Sequence, residues 1–409
     1  MKHYSLTYLF LLTVFATFAQ VTPGVEVLEE MDFAPLKGKR VGLITNPTGV
    51  DRTLRSTIDI LNDAPDVELV ALFSPEHGIR GNFSAGNRVA DDVDPVTGIK
   101  IHSLHGRNLA PTPEMLRGID VMVYDIQDVG ARSYTYVSTL GRSMAACARA
   151  GVEFMVLDRP DPLGGIKVEG PVVAQGEESF VGQYPIPYLY ALTPGELAKL
   201  LIGEGMLGSG NNPKLTVIEM DGWQRDMLFA DTGLPWVLPS PNIPTMETAL
   251  YYPATGIAGE LDGLSIGVGY TLPFHLFAVP GTDGIALAGR LNALQIPGVA
   301  FRPITFKPGY SKHAGSTLSG VEVYIMDAEE APLTLISFYL LQELEALYPG
   351  KKLLASEKAA RLSMMDKVIG DRRVRQQFSR RYKVDDILLL WHKDTDKFTE
   401  TKQKYHLYR

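Results

Sequence analysis

Cysteine is almost missing from this 409-residue chain: Cys147 is the only one, so no intrachain disulfide can form. It lies in the apolar helical stretch Ser143–Ala150 (SMAACARA), where a small buried residue is expected rather than a reactive thiol. Basic runs are absent too. Lysine and arginine number 39 against 47 acidic residues, a formal charge of −8, and no cationic cluster stands out. That argues against nucleic acid and anionic membrane surfaces as partners and favours a small or neutral molecule. Neither GxGxxG nor GxxxxGK[ST] follows the first strand-like run, which leaves dinucleotide and P-loop readings weak despite the glycines of Gly263–Gly269 (GLSIGVG). There is no HExxH or Cys/His framework, and a strand would point His102 and His105 to opposite faces, so structural zinc has little support. No cofactor is expected.

The one long apolar run stands at the front. Residues 1–19 (MKHYSLTYLFLLTVFATFA) carry Lys2, then an apolar core, then small Thr17 and Ala19 ahead of Gln20. This reads as a secretory signal cleaved after Ala19, too short for a confident membrane span. No cysteine follows the cleavage point to take a lipid, so a soluble exported protein is expected, periplasmic or secreted, without stable membrane insertion.

With 45% hydrophobic and 21% charged residues, the chain can bury one large or two medium cores. Four short apolar runs in its first half end in polar, turn-forming residues. They are Arg40–Ile44 into TNPTG, Val67–Phe73 into SPEHG, Val121–Tyr124 into DIQDVG, and Glu153–Leu157 into DRPDP. Helix-like stretches such as Thr53–Asn62 and Thr139–Ala150 intervene. Continuous apolar strands alternating with helices predict an α/β, doubly wound parallel sheet, in which ligands bind beyond the strands' carboxyl ends. The four polar clusters should therefore share one crevice. Further on, Thr193-Pro194-Gly195-Glu196 has the form of a capping box. The proline-rich Trp236–Thr245 suggests a boundary, with residues 20–245 as the first unit and 246–409 as a smaller α/β unit.

Phe73–Gly81 (FSPEHGIRG) concentrates the chemistry. Glu76, rigidly held in a turn at a strand end, suits general-acid use, or it caps the next helix. Asp125 and Asp128 can hold sugar hydroxyls, bind a metal or share acid–base work with Glu76; alternatively Asp125 buttresses the loop while Asp128 pairs with Arg132. Arg80, Arg132 and Arg159 all fall at the expected crevice, which suits a substrate bearing a carboxylate, although each also has an aspartate close in sequence.

Taken together, VGLITNPTG, LFSPEHGIRG, VYDIQDVGARSYTY, LDRPDPLGG, FVGQYPIPY, TGLPWVLPSPNIPT and YYPATG resemble the exo-β-N-acetylmuramidase family of glycosidases. The resemblance runs from about Val25 to the closing KYHLY. It implies a Rossmann-like domain joined to a smaller auxiliary domain, with a cleft between them. It also implies release of N-acetylmuramic acid from the non-reducing end of peptidoglycan fragments, without a nucleotide. By position, the essential carboxylate is Glu76, with His77 orienting it or binding substrate. Asp125, Asp128 and Tyr136 match the IQDVG block, Arg159 the DRP block and Asn242 the PSPN block, while Asn46 lies in the first. The arginines would grip the lactyl carboxylate.

One segment departs from the family pattern. Where the family reads close to FEGTNLSEGRGTTRPF, Ala258–Phe274 reads AGELDGLSIGVGYTLPF, so a glutamate and an arginine become Ile266 and Val268 and a later arginine becomes Leu272. A histidine usual after the YPIP block becomes Tyr190. Glu260 or Asp262 could replace the lost carboxylate. The alternative is a paralogue that binds a cell-wall sugar without cleaving it, or a hydrolase of another acidic sugar.

Overall fold

A computed structural model describes residues 20–76, 78–79 and 92–409, so the expected signal segment and the candidate residues His77 and Arg80 lie outside the described residues. The first unit is built on seven strands: β1 (Arg40–Thr45), β2 (Glu68–Ser74), β3 (Asp92–Val93), β4 (Lys100–Ser103), β5 (Val121–Asp125), β6 (Glu153–Leu157) and β7 (Leu215–Ile218). They run β3-β4-β2-β1-β5-β6-β7, parallel throughout except for the short edge pair β3–β4. Apart from β3, this is the dinucleotide-fold order, reversing at β1. The four apolar runs of the sequence are β1, β2, β5 and β6. β3 and β4, too short to announce themselves by pattern, extend the sheet beyond β2.

Strand side chains alternate faces, and the sheet uses both. Val121 and Val123 pack with Val25 and Leu28 of α1 (Gly24–Glu30) and Ile58 and Leu61 of α2 (Thr57–Asp63). Met122 and Tyr124 pack the other way, with Leu140 and Met144 of α3 (Tyr136–Ala150) and Leu197 and Leu201 of α4 (Pro194–Gly203). Cys147 is buried in this second layer, and burial pushes its thiol up to about 12. Thr193 and Glu196 close the capping box, each accepting the other's backbone N–H at 3.2 Å. The helix expected from Thr53 begins four residues later. Asp51 accepts the backbone N–H groups of Thr53 and Arg55, both at 2.8 Å, and holds that stretch as a turn until Ser56 caps the helix.

The second unit has a three-stranded antiparallel sheet, β8 (Leu276–Ala278), β10 (Leu318–Ile325) and β9 (Val299–Phe306) in that order. Helices α5 (Met246–Thr255), α6 (Gly284–Ala293) and α7 (Ile336–Leu347) pack on it around Leu287, Phe301, Val321 and Phe338. The two units are tied by buried polar contacts. Glu169 accepts the backbone N–H groups of Leu333 and Thr334 at 3.2 and 2.8 Å. The C-terminal segment returns to the first sheet, where Tyr408 donates to Asp158 at 2.6 Å and Lys402 donates to the carbonyls of Gly165 and Ala191.

Arg132 is the most committed of these ties. Fully buried, it donates from Nη1 to the Pro171 and Ile186 carbonyls at 2.9 and 2.7 Å, and from Nη2 to Val368 and Ile369 at 2.8 Å each. It does not pair with Asp128. Its assignment to substrate binding gives way here to a structural one. The prediction follows from four carbonyls losing their donors: Arg132→Met lowers unfolding stability by about 3 kcal/mol or more. Urea denaturation checks this, and an unchanged midpoint contradicts it.

Candidate active site at the sheet switch point

The sheet order reverses at β1, so the crevice of interest lies beyond the carboxyl ends of β1 and β5. Three loops meet there through Asp125, the last residue of β5. Its Oδ1 accepts from Arg159 Nε at 2.5 Å, and its Oδ2 from Arg159 Nη2 at 2.9 Å and Thr57 Oγ1 at 2.5 Å. Arg159 Nη2 also donates to the Val50 carbonyl at 2.8 Å. Gln127 adds a cross-link, its Nε2 donating to the Pro160 carbonyl at 2.8 Å and its backbone N–H to Thr48 Oγ1 at 2.8 Å. Gly49 makes the crowding possible, since a Cβ there would stand 2.1 Å from Thr45 Oγ1. Asp125 has no exposure and Arg159 almost none. Asp125 thus buttresses the loops with both carboxylate oxygens engaged, and Arg159 carries that pair from the end of β6.

Glu76 and Tyr136 stand at neighbouring strand and helix ends. Glu76, two residues past β2, is one-fifth exposed, with Thr135 Oγ1 at 3.5 Å and His105 Nδ1 at 4.0 Å from its Oε2. Tyr136 opens α3 and donates to the Pro239 carbonyl at 2.7 Å. Burial raises its pKa, the Asn46 amide beside its hydroxyl opposes this, and the charges of Asp128 and Glu76 add to the rise. Asn46, Glu76, Asp128 and Tyr136 are therefore neighbours. Tyr134 packs edge-on against Tyr136 and Tyr252, with ring centroids 5.0 and 5.5 Å away. Asn46 uses its Oδ1 on the backbone N–H and hydroxyl of Thr48.

Asp128 behaves differently from Asp125, although only three residues separate them. Its Oδ1 accepts the Val129 N–H at 2.6 Å, but no cation pairs with it among the described residues. Burial, opposed by that N–H and reinforced by Asp161, pushes the carboxyl up to about 8. That shift favours the protonated form.

The remaining candidates lie elsewhere in the structure. Asn242 accepts from the Tyr310 hydroxyl at 3.1 Å, joining the proline-rich loop to the second unit. Glu260 is paired with Arg361 at 3.2 Å, and burial raises its pKa against the pull of Arg361 and Lys312. Ile266 packs in the core of the second unit against Gly259, and Tyr190 is buried near Asp128 and Asp161.

Comparison with known proteins adds a lineage to this geometry. Residues 41–247 match the N-terminal and residues 250–408 the C-terminal domain of exo-beta-N-acetylmuramidase NamZ. The chain belongs to the exo-β-N-acetylmuramidase family. It is 41% identical over 389 residues to the peptidoglycan beta-N-acetylmuramidase NamZ of Bacillus subtilis strain 168, covering 95% of this chain and 92% of that one. A DUF1343 family protein of Bacteroides fragilis superposes with a TM-score of 0.92 at 50% identity, over 95% of this chain and 99% of that one. A second from the same organism gives 0.77 at 29%, over 96% and 99%. Both share the two-unit α/β architecture, and the relatives place this exo-β-N-acetylmuramidase family member among glycosidases.

Tyr134 and Thr135 were not singled out by the sequence reading, and His105 was weighed there only as a zinc ligand beside His102. The first two lie in the SYTY run whose Tyr136 was named, and His105 comes level with Glu76 only through the pairing of β2 with β4.

Asp128 generates a prediction with a definite sign. Below about pH 4 its carboxyl is protonated folded or unfolded. As pH rises towards its folded pKa of about 8 only the folded chain keeps the proton, so this group's contribution to stability falls across that window. Wild type should therefore lose stability relative to Asp128→Asn between about pH 4 and 8, measured by urea unfolding at each pH. A pH-independent difference contradicts the assignment.

Proposed function

We propose that this protein is an exported glycoside hydrolase that releases N-acetylmuramic acid from the non-reducing end of peptidoglycan fragments. The observation that carries the reading is Glu76, partly exposed at the carboxyl end of β2, beside a buried floor of Asn46, Tyr136 and Asp128. The named activity of the Bacillus subtilis relative supports it. Glu76 serves as general acid or acid/base, protonating the glycosidic oxygen as the bond to the anomeric carbon breaks. Asp128 is preferred over Asp125 as the second carboxyl, because every Asp125 oxygen is already engaged with Arg159 and Thr57. Asn46 and Tyr134 offer polar groups at the floor for sugar hydroxyl or amide groups. With Arg132 and Arg159 committed inside the protein, Arg80 is the remaining arginine of the original three for the lactyl carboxylate.

The test is hydrolysis of a chromogenic N-acetylmuramic acid β-glycoside beside its N-acetylglucosamine counterpart. Release from the first and not the second is expected, and Glu76→Gln should lower kcat by about 100-fold or more. Binding without release would favour the cell-wall-sugar binding paralogue, and full activity of the variant would remove Glu76 from the role.

Export rests on residues 1–19 and on the nature of the substrate. Among the described residues no helix is long and apolar enough to cross a membrane. Mass spectrometry of the exported protein should find an N-terminus at Gln20; full-length chain retained in the cytoplasm contradicts it.

A further inference from the structure

β2 and β4 pair with Ser74 opposite Ser103, which brings the residues two places beyond each strand, Glu76 and His105, side by side. His105 is anchored by its own turn: its backbone N–H donates to Ser103 Oγ at 3.2 Å, and Ser103 Oγ donates to its carbonyl at 3.1 Å. Its Nδ1 stands 4.0 Å from Glu76 Oε2 and has no hydrogen-bond partner among the described residues. That spacing is too long for a hydrogen bond, but closing it needs a movement of only about 1 Å. Catalytic hydrogen bonds are commonly long in unliganded sites and tighten around substrate. Thr135 Oγ1 approaches the same Oε2 from α3's start, at 3.5 Å.

We propose that His105 is a positioning residue for Glu76, donating from Nδ1 to Oε2 beside Thr135. The inference rests on the reading of Glu76 as general acid. In the step it supports, the bond from the anomeric carbon to the glycosidic oxygen breaks with its electron pair on that oxygen, which takes the Glu76 proton. Water then supplies hydroxyl to the anomeric carbon and a proton back to Glu76. Between these events Glu76 is a carboxylate, and the His105 N–H stabilises it and keeps its orientation.

Two substrates separate this role from a structural one. The first is an aryl N-acetylmuramic acid β-glycoside, whose phenolate leaves with little protonation. The second is a disaccharide whose leaving group is N-acetylglucosamine, which needs the proton. His105→Ala should lower kcat on the disaccharide by about 10- to 100-fold, with a much smaller effect on the aryl glycoside and little change in KM. His105→Asn, whose amide nitrogen takes the place of Nδ1, should restore most of it. In a Glu76→Gln background the His105→Ala effect should vanish, because the two act as a unit. Equal losses on both substrates, the same loss in the Glu76→Gln background, or no loss overturns the proposal. Failure of the underlying reading looks different: wild type inert on both substrates, or Glu76→Gln as active as wild type, whatever His105→Ala does.

Discussion

The buried pair of Asp125 and Arg159 is the constraint on which the rest of the crevice depends. It fastens the ends of β5 and β6 to the loop after β1, and Thr57 extends the grip to α2. A buried ion pair is weak evidence for stability, since desolvation offsets much of the attraction, but losing one partner leaves the other charge stranded at a cost of about 3–5 kcal/mol. What the pair contributes is registration. Asn46, Gln127 and Asp128 all leave strands that this hub fixes, so the floor of the crevice is placed before any ligand arrives.

Above the hub, burial divides the carboxyls. Asp125 has a guanidinium and a hydroxyl on it; Asp128 has only backbone N–H groups among the described residues, and burial pushes its carboxyl up to about 8. Glu76 stands at the rim with partial exposure. Two carboxyls in such unlike surroundings can take different parts in glycoside hydrolysis.

Much of this was legible in the chain. β6 occupies the expected residues, the Thr193–Glu196 capping box forms with both hydrogen bonds, and the four polar clusters do follow parallel strands. Local chemistry determined those features, so local pattern could report them. Which of Asp125 and Asp128 turns inward is another matter, because both follow the same apolar run and only Arg159, more than thirty residues away, distinguishes them. Arg132 misled for a similar reason: its acceptors Val368 and Ile369 belong to the other unit. β8 is three residues after a glycine-rich run, and it forms a strand because β10 pairs with it.

The central claim is that the crevice beyond β1 and β5 holds the bond to be cleaved. A crystal structure of the Glu76→Gln protein with an uncleaved disaccharide bearing N-acetylmuramic acid tests it most directly. The account predicts the sugar over Asn46, Tyr136 and Asp128, with the glycosidic oxygen within about 3.5 Å of the residue 76 side chain. A sugar seated elsewhere, with that oxygen out of reach of residue 76, would contradict it.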